Sequence, residues 1–396
     1  MLSLMNGVAS TTTKSKNTSP SLNFTGQTIV TLGTSLTDNG YQDPSESAST
    51  IGYTARGWDG WARMLTNQNI NWVNKGVAGN TANALAARVI SDVVPENPYA
   101  VIVEAGTNDS GQTYETIIAD LAALYSAITY EGYVLVPLTI AMREPTEWSD
   151  TVRDKMLDVN TWIKTNYTHA IEVNEFFTIA DRPISGYTTD GTHFSNLGAF
   201  EAVKPLVSFL NVRTGETNII TSGTAVNANP DLTGTSGSKD TGITGTVPAG
   251  MHCDIIGAHS GTAAVIANDP GMSITFTPGS SGAVEDYQFR TNPLNVTTAS
   301  ATAYELLSNI SVSAWDGWAY IQLRLYEPGN GSTYDLYQIL NDETYPYPAE
   351  AFTGLLRTAA LTTNGTYVRI YLEVGIKDDA IGTGTLTLDN LKLREA

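Results

Sequence analysis

Residues 100–110 read AVIVEAGTNDS, an apolar run that passes directly into a polar turn. The apolar part, AVIVEAG, has the composition of a strand that is buried on both faces of a sheet. Runs of the same kind predict four more strands, QTIVTLG (27–33), INWVNKG (70–76), YVLVPLTI (133–140) and AIEVNEF (170–176). Helical stretches alternate with them, near 56–67, 80–91, 113–130, 149–168 and 195–211. The alternation predicts an α/β fold, an open parallel five-stranded sheet covered by helices, with its ligand beyond the carboxyl ends of the strands.

Charge and cysteine content exclude several classes of protein. The 396 residues include 40 acidic and 21 basic side chains, a formal net charge of −19. Binding to nucleic acid or to an anionic membrane is not expected, because both need clustered basic side chains. Cys253 is the single cysteine, so neither an intrachain disulfide nor a cysteine-based zinc site is predicted. We recognise no secretory signal, and no apolar run approaches the ~18 residues of a membrane-spanning helix.

The composition of the sequence and its strand and helix pattern change after residue 212. Residues 1–25 are polar and predict a flexible arm, and 26–212 carry the alternating strand and helix pattern. A segment rich in Gly, Thr and Ser follows, and we assign 213–228 to a linker. Residues 229–396 contain many short runs of alternating apolar and polar residues, separated by Gly, Pro, Asn and Asp. This spacing predicts an all-β domain, an antiparallel sandwich.

Four polar stretches of the first domain follow a predicted strand or precede a predicted helix. They are LGTSLTDNG (32–40), NKGVAGNTA (74–82), EAGTNDS (104–110) and TDGTHFSNLG (189–198). Each has an ordinary structural explanation when taken alone: a Ser/Thr helix cap, a Gly-rich turn, an Asx-turn and a solvated loop. Together they supply Ser, Gly, Asn and Asp-x-x-His, the residue types that nucleophilic catalysis requires.

The chemistry of these residue types is complementary. The carboxylate of Asp190 can hold one imidazole nitrogen of His193, three residues later, and the other nitrogen can then take a proton from a serine. Ser35 supplies such a hydroxyl at a strand-to-helix turn. The side-chain amide of Asn108 can donate to a developing oxyanion. Gly79 permits close approach of backbone N–H groups at a helix start.

The order of these blocks resembles the SGNH hydrolases, also called the GDSL lipase/esterase family, over about residues 27–211. The resemblance implies a flavodoxin-like three-layer α/β/α sandwich and ester hydrolysis that requires no cofactor and no metal. It implies Ser35 as nucleophile, His193 as general base and then acid, and Asp190 as the residue that orients His193. It further implies an oxyanion hole made by the backbone N–H groups of Ser35 and Gly79 and the side chain of Asn108.

One position departs from the family pattern, and four more residues are candidate substrate contacts. Thr34 stands where the family's G-D-S-L motif has Asp, which leaves the triad intact and puts the hydrogen bonding of the nucleophile turn in question. Asp38 and Asn39 follow the nucleophile, and Arg143 and Trp148 lie in the loop AMREPTEW after the fourth strand. We predict that these four contact substrate, with surface positions of no special role as the alternative.

The β-rich region resembles jelly-roll modules that bind carbohydrate. Its tryptophans and tyrosines can stack on sugar rings or fill the core of the sandwich, and carboxylates near Asp389 are candidate ligands of a structural Ca²⁺. With the first domain, this predicts a serine esterase that removes acyl groups, foremost acetyl, from an O-acylated polysaccharide such as capsule or O-antigen.

The biological setting has several alternatives. We expect an extracellular or virion-associated protein, such as a phage tail component, in contact with other tail proteins and as a homotrimer. The alternatives are a secreted bacterial carbohydrate esterase, a general lipase or esterase, and a catalytically idle adhesin that only binds glycan. Hydrolysis of a chromogenic acetate ester separates the enzymes from the adhesin.

Overall fold

The computed structural model describes residues 22–42, 50–66, 70–214, 222–257, 260–280, 282–328, 334–339, 347–378 and 380–396. Most of the predicted arm and part of the predicted linker lie outside these ranges, so both stay predictions. No helix of the described ranges is long and apolar enough to cross a membrane.

The first region consists of a parallel sheet with helices around it. The helices are α1 (Ser35–Asp38), α2 (Trp58–Leu65), α3 (Ala82–Arg88), α4 (Tyr114–Tyr130), α5 (Asp150–Asn166) and α6 (Asn196–Asn211). The strands are β1 (Thr28–Gly33), β2 (Tyr41–Gln42), β3 (Thr50–Tyr53), β4 (Asn71–Gly76), β5 (Ala100–Val103), β6 (Val134–Pro137), β7 (Thr178–Ile179) and β8 (Arg182–Pro183). The predicted α/β fold class is confirmed.

The parallel sheet has the order β4-β1-β5-β6. All four residues of the central strand β5 are buried, as its continuous apolar run predicts. Helices α3, α4 and α5 bury their apolar sides together with Val30, Val101 and Val103 in one hydrophobic cluster. Because β1 pairs in parallel with both β4 and β5, the carboxyl ends of these strands lie at one edge of the sheet, where the polar stretches begin.

The predicted fifth strand, 170–176, is not formed as a strand. Only Ile171 makes a parallel bridge, to Leu138. The side chain of Asn174 accepts from the N–H of Met142 (2.9 Å) and donates to the carbonyl of Ile140 (2.9 Å). These side-chain bonds occupy backbone groups of the neighbouring segment that a continuous ladder would use, so the parallel sheet has four strands and one bridge instead of five strands.

The second region is mostly β-strand, as predicted. Its strands are β9 (Ser238–Lys239), β10 (Ile243–Gly245), β11 (Met251–Ile256), β12 (Thr262–Ala267), β13 (Met272–Thr277), β14 (Glu285–Thr291), β15 (Val296–Thr297), β16 (Ala303–Val312), β17 (Trp318–Glu327), β18 (Tyr334–Ile339), β19 (Phe352–Arg357), β20 (Leu361–Thr362), β21 (Tyr367–Ile376), β22 (Gly384–Leu388) and β23 (Lys392–Glu395).

These strands form two sheets that pack face to face. One sheet has the central order β10-β12-β13-β22-β16-β19, and the other runs β2-β3-β18-β17-β21-β14-β11-β9. Phe276 of the first sheet contacts Tyr287 and Trp318 of the second, with ring centroids 5.1 and 5.8 Å apart. Trp318 is fully buried, so this tryptophan fills the core and is not available to a sugar.

The two regions share a sheet and a hydrophobic core. Strands β2 and β3, which follow α1 in the chain, belong to the second region's sheet, where β3 pairs in parallel with β18. Trp61 of α2 packs against Tyr347 and Phe352, with ring centroids 5.5 and 5.8 Å apart. A Cβ added to Gly354 would lie 2.7 Å from the carbonyl of Met64, so the two backbones approach closely.

Candidate active site

The nucleophile turn joins β1 to α1 at the sheet edge. Gly33 ends β1, and a Cβ there would lie 2.0 Å from the hydroxyl of Thr37, so only glycine fits. Thr34 is the N-cap residue, with extended backbone, and Ser35 begins α1. The N–H groups in the first turn of a helix have no acceptor within the helix, so the one at Ser35 is free of helical pairing. This places a hydroxyl and a backbone donor together.

Thr34 is bonded to a buried carboxylate. It donates its N–H (2.8 Å) and its hydroxyl (2.7 Å) to Oε2 of Glu104, which is 5% exposed. Burial raises the pKa of Glu104, against the lowering effect of the bonds from Thr34 and from the hydroxyl of Thr37. An aspartate at 34 would instead set a second acceptor against this carboxylate. With Thr in place of the Asp of G-D-S-L, the nucleophile turn is thus held by the hydrogen bonds from Thr34 to Glu104.

The Thr34→Val variant is expected to lower the free energy of unfolding by ~1–3 kcal/mol, because it leaves the buried Glu104 without one donor and Leu36 N–H without its cap. Chemical denaturation monitored by tryptophan fluorescence measures the change. The matched control is Thr161→Val on the exposed side of α5, expected within ~0.5 kcal/mol of the parent. Equal effects of both substitutions would show that the bond to Glu104 contributes nothing to stability.

Three of the predicted residues meet at this turn. Nε2 of His193 lies 2.9 Å from Oγ of Ser35, and Nδ1 of His193 lies 2.8 Å from Oδ2 of Asp190. An ionised carboxylate only accepts hydrogen bonds, so Asp190 favours the tautomer with its hydrogen on Nδ1. In that tautomer Nε2 is an acceptor for the hydroxyl hydrogen of Ser35. The geometry is that of a nucleophile, a base and an orienting acid.

The loop that carries Asp190 also keeps its carboxylate charged. Oδ1 of Asp190 accepts from the N–H groups of His193 (2.8 Å) and Thr192 (3.0 Å). Partial burial acts to raise the pKa of Asp190, but these bonds and the imidazole together lower it below its usual value. Gly191 between them has a φ of +86°, a conformation that favours glycine. The sequence D-G-T-H therefore forms a turn that fixes the acid against the base.

The predicted oxyanion donors lie on two loops beside this turn. Gly79 is exposed, with a φ of +78°, and no described group accepts a hydrogen bond from its N–H. Asp38 contacts the same loop, since its Oδ2 accepts from the N–H of Ala78 (3.1 Å). This bond holds the loop near α1. That Asp38 contacts substrate remains a prediction. In the structure its carboxylate is bonded to the loop of Gly79.

The amide of Asn108 is oriented from both ends. Its Nδ2 donates to the carbonyl of Asn80 (3.0 Å), and its Oδ1 accepts from Nη2 of Arg143 (3.3 Å). Because the amide nitrogen carries two hydrogens, the second is left for another acceptor. Arg143 also donates through Nη2 to the carbonyl (3.2 Å) and hydroxyl (3.0 Å) of Thr107. Arg143 is thus bonded to the loop that carries Asn108.

The other predicted substrate contacts have different outcomes. Trp148 is 2% exposed and packs in the core, with the guanidinium of Arg143 5.1 Å from its ring centroid. The prediction that Trp148 contacts substrate is therefore wrong, because its ring points away from solvent. Asn39 is half-buried at the end of α1, and its carbonyl accepts from the hydroxyl of Thr54. For Asn39 and Arg143 contact with substrate stays a prediction.

Two supporting residues are not among the predicted site residues. Glu104 is the one charged residue in the run AVIVEAG, and a charge inside an apolar strand is the signal that could have indicated its role. Arg182 donates to the carbonyls of Arg143 (3.1 Å) and Trp148 (2.8 Å) and so supports their loop. Nothing in the local sequence of Arg182 indicates this long-range contact.

Comparison with known proteins relates the first region to one family by sequence. Residues 31–199 match the sequence model of the GDSL-like lipase/acylhydrolase family. An acetylxylan esterase from Geobacillus stearothermophilus is 32% identical over 95 residues, which are 23% of this chain and 43% of that protein. The chain thus spans less than half the length of this curated relative. Residues 31–199 form a GDSL-like lipase/acylhydrolase domain, and the resemblance of the first region to that family is confirmed.

Two solved structures are similar to a little under half of this chain. A putative lipolytic protein of the G-D-S-L family from Desulfitobacterium hafniense DCB-2 is 21% identical, with a TM-score of 0.38, over 46% of this chain and 98% of that one. A catalytic mutant of an acetylxylan esterase from Geobacillus stearothermophilus is 22% identical, with a TM-score of 0.36, over 48% of this chain and 96% of that one.

Proposed function

We propose that the chain is a serine esterase that removes O-acyl groups, foremost acetyl, from a polysaccharide. The observation that carries the proposal is the continuous contact from Ser35 Oγ through His193 to Asp190, at 2.9 and 2.8 Å. An unactivated serine hydroxyl is a weak nucleophile and needs such an adjacent base. The acetylxylan esterase relative supports a carbohydrate ester as substrate.

The geometry supports a two-step mechanism. Oγ of Ser35 attacks the ester carbonyl carbon while its proton passes to Nε2 of His193, and the carbonyl oxygen becomes an oxyanion. The oxyanion accepts hydrogen bonds from the N–H groups of Ser35 and Gly79 and from Asn108. Collapse breaks the ester bond, and His193 returns the proton to the leaving sugar oxygen. Water then attacks the acyl-serine by the same route and releases the carboxylic acid.

The Asn108→Ala variant is expected to lower kcat by about 10²–10³-fold, the scale for removing one oxyanion donor. Its KM should change little if the amide acts mainly on the transition state. Steady-state hydrolysis of a chromogenic acetate ester measures both constants. The control is Asn166→Ala at the end of α5, where the described bond of the amide is to the carbonyl of Trp162. An Asn108→Ala enzyme with parental kcat would remove Asn108 from the oxyanion hole.

The substrate is tested by acetate release from a panel of acetylated glycans, with the Ser35→Ala variant as blank. Release from one or more glycans, absent in the variant, supports a polysaccharide esterase. Hydrolysis of the chromogenic ester without release from any glycan would favour a general esterase. Activity on neither, with retained glycan binding, would favour the idle adhesin.

For the biological setting, we propose an extracellular or virion-associated protein whose β-rich region binds glycan or serves assembly. The Gly/Thr/Ser-rich passage into two β-sheets is the feature that supports it. Gene neighbourhood distinguishes a phage tail protein from a secreted bacterial esterase. Light scattering of the purified chain tests the proposed homotrimer.

A further inference from the structure

A compact group of polar side chains lies at the β9 end of the sheet that runs β2-β3-β18-β17-β21-β14-β11-β9, among residues that the esterase chemistry does not use. In the strand register, His252 of β11 lies opposite Ser238 of β9 on one side and Arg290 of β14 on the other. Side chains two apart on a strand share a face, so Asp254 lies on the same face as His252. Asp240 follows β9 directly. Local pairing alone therefore brings these five side chains together.

Three of these side chains direct ligand atoms at one another. Nε2 of His252 lies 2.9 Å from Oδ1 of Asp254 and 3.4 Å from Oδ1 of Asp240. All three atoms lie within 4.8 Å of one another. The side chains of His252 and Asp254 are each 16% exposed, whereas Asp240 is 44% exposed. The group is thus largely enclosed and open to solvent on the side of Asp240.

A second set of contacts fixes the three ligand groups. Nδ1 of His252 lies 2.6 Å from Oγ of Ser238, which also accepts from Nδ2 of Asn292 (3.0 Å). Arg290 donates to both oxygens of Asp254. The N–H of Ile255 donates to Oδ2 of Asp240 (3.1 Å). Metal-binding imidazoles and carboxylates are commonly held in this way by outer hydrogen bonds.

We propose that His252, Asp254 and Asp240 form a binding site for a divalent cation of the zinc type, with water as the fourth ligand. Zinc takes imidazole and carboxylate ligands at ~2.0–2.2 Å in tetrahedral geometry, which separates neighbouring ligand atoms by about 3.3–3.6 Å. The 3.4 Å between His252 and Asp240 lies in that range, and the 2.9 Å between His252 and Asp254 would lengthen by about 0.5 Å when the ion replaces their hydrogen bond. Calcium and magnesium are disfavoured, because they prefer sites made of oxygen alone.

Charge and proton balance are compatible with the ion. Two carboxylates against the guanidinium of Arg290 give the group a net charge of −1 when His252 is neutral. An ion bound through Nε2 requires the neutral tautomer of His252 with its hydrogen on Nδ1, where Oγ of Ser238 lies 2.6 Å away and can accept it.

The expected role of the ion is structural. It would join the segment after the short edge strand β9 to the inner strand β11, and none of its ligands belongs to the Ser35 site. The sequence alone indicates no metal at these residues, because Asp240 lies twelve positions before His252 and forms no compact motif with it. The structural Ca²⁺ predicted near Asp389 remains a separate prediction.

The test uses the full chain after dialysis against a chelator. We expect titration with zinc chloride, followed by calorimetry, to show one saturable site, and zinc to raise the thermal midpoint by about 5 °C. Co²⁺ in the same site should give the visible absorption bands of a four-coordinate ion. Absence of saturable binding would mean that these side chains form ion pairs and hydrogen bonds with one another and bind no metal, which would overturn the proposal.

Variants assign the ion to these side chains. His252→Gln and Asp240→Asn should each weaken zinc binding by about 100-fold or more, and Ser238→Ala by about tenfold through loss of the outer bond. The matched control is His169→Gln, whose imidazole packs near Phe209 in the first region. Near-UV circular dichroism and parental esterase activity check folding. Zinc binding that survives both His252→Gln and Asp240→Asn would place the ion elsewhere and refute the site.

Discussion

Replacing Ser35 by alanine is expected to abolish ester hydrolysis while the chain stays folded. Loss of the nucleophile or base of a serine triad lowers kcat by on the order of 10⁶-fold in other enzymes. The described contact of the Ser35 hydroxyl is with His193 alone, in a part-buried position, so its removal should cost little stability. Hydrolysis of a chromogenic acetate ester measures turnover, and near-UV circular dichroism checks the fold.

Two further variants make this test specific. Ser91→Ala, at an exposed position after α3, is the matched control and should retain parental turnover. The double variant Ser35→Ala/His193→Ala should be no slower than Ser35→Ala, because the two residues act as a unit. Parental activity in Ser35→Ala would refute the assignment of the nucleophile and with it the proposed mechanism.

The Asp190→Asn variant is expected to lower kcat by about 10⁴-fold. Asparagine keeps an oxygen that accepts from the backbone N–H groups of His193 and Thr192, so the loop should keep its shape. Its amide nitrogen then faces Nδ1 of His193 and favours the tautomer with the hydrogen on Nε2. In that tautomer His193 cannot accept the proton of Ser35.

The matched control for this prediction is Asp181→Asn, an exposed carboxylate in the same segment of the chain. It should leave kcat unchanged in the same acetate ester assay. If Asp190→Asn kept more than about a tenth of parental kcat, Asp190 would be a loop residue and His193 would be oriented by another group.

The parts of the fold that follow local rules were predictable from the sequence. The run AVIVEAG is apolar throughout because β5 is buried on both faces. The stretches around Ser35 and Asn108 come together because carboxyl ends of parallel strands lie at one edge. His193 and Asp190 are three residues apart, so their contact is nearly local.

The parts that depend on long-range packing were not predictable. A loop residue such as Trp148 carries no sign of whether its ring turns inward, and in the structure it does. The segment 170–176 has the composition of a strand, yet Asn174 uses its amide against a neighbouring backbone. The short strand β3 finds its partner β18 nearly three hundred residues later, a distance that no local pattern can encode.

That pairing has a consequence for how the molecule can be divided. The polypeptide leaves the nucleophile turn, adds strands to the far sheet and only then returns to form α2, whose Trp61 sits against Phe352. Cutting the chain near residue 213 would remove β2 and β3 from the sheet of the β-rich region and would expose Trp61 of the first region. The β-rich region is therefore not an independent unit, because its sheet includes strands β2 and β3, which begin six residues after Ser35.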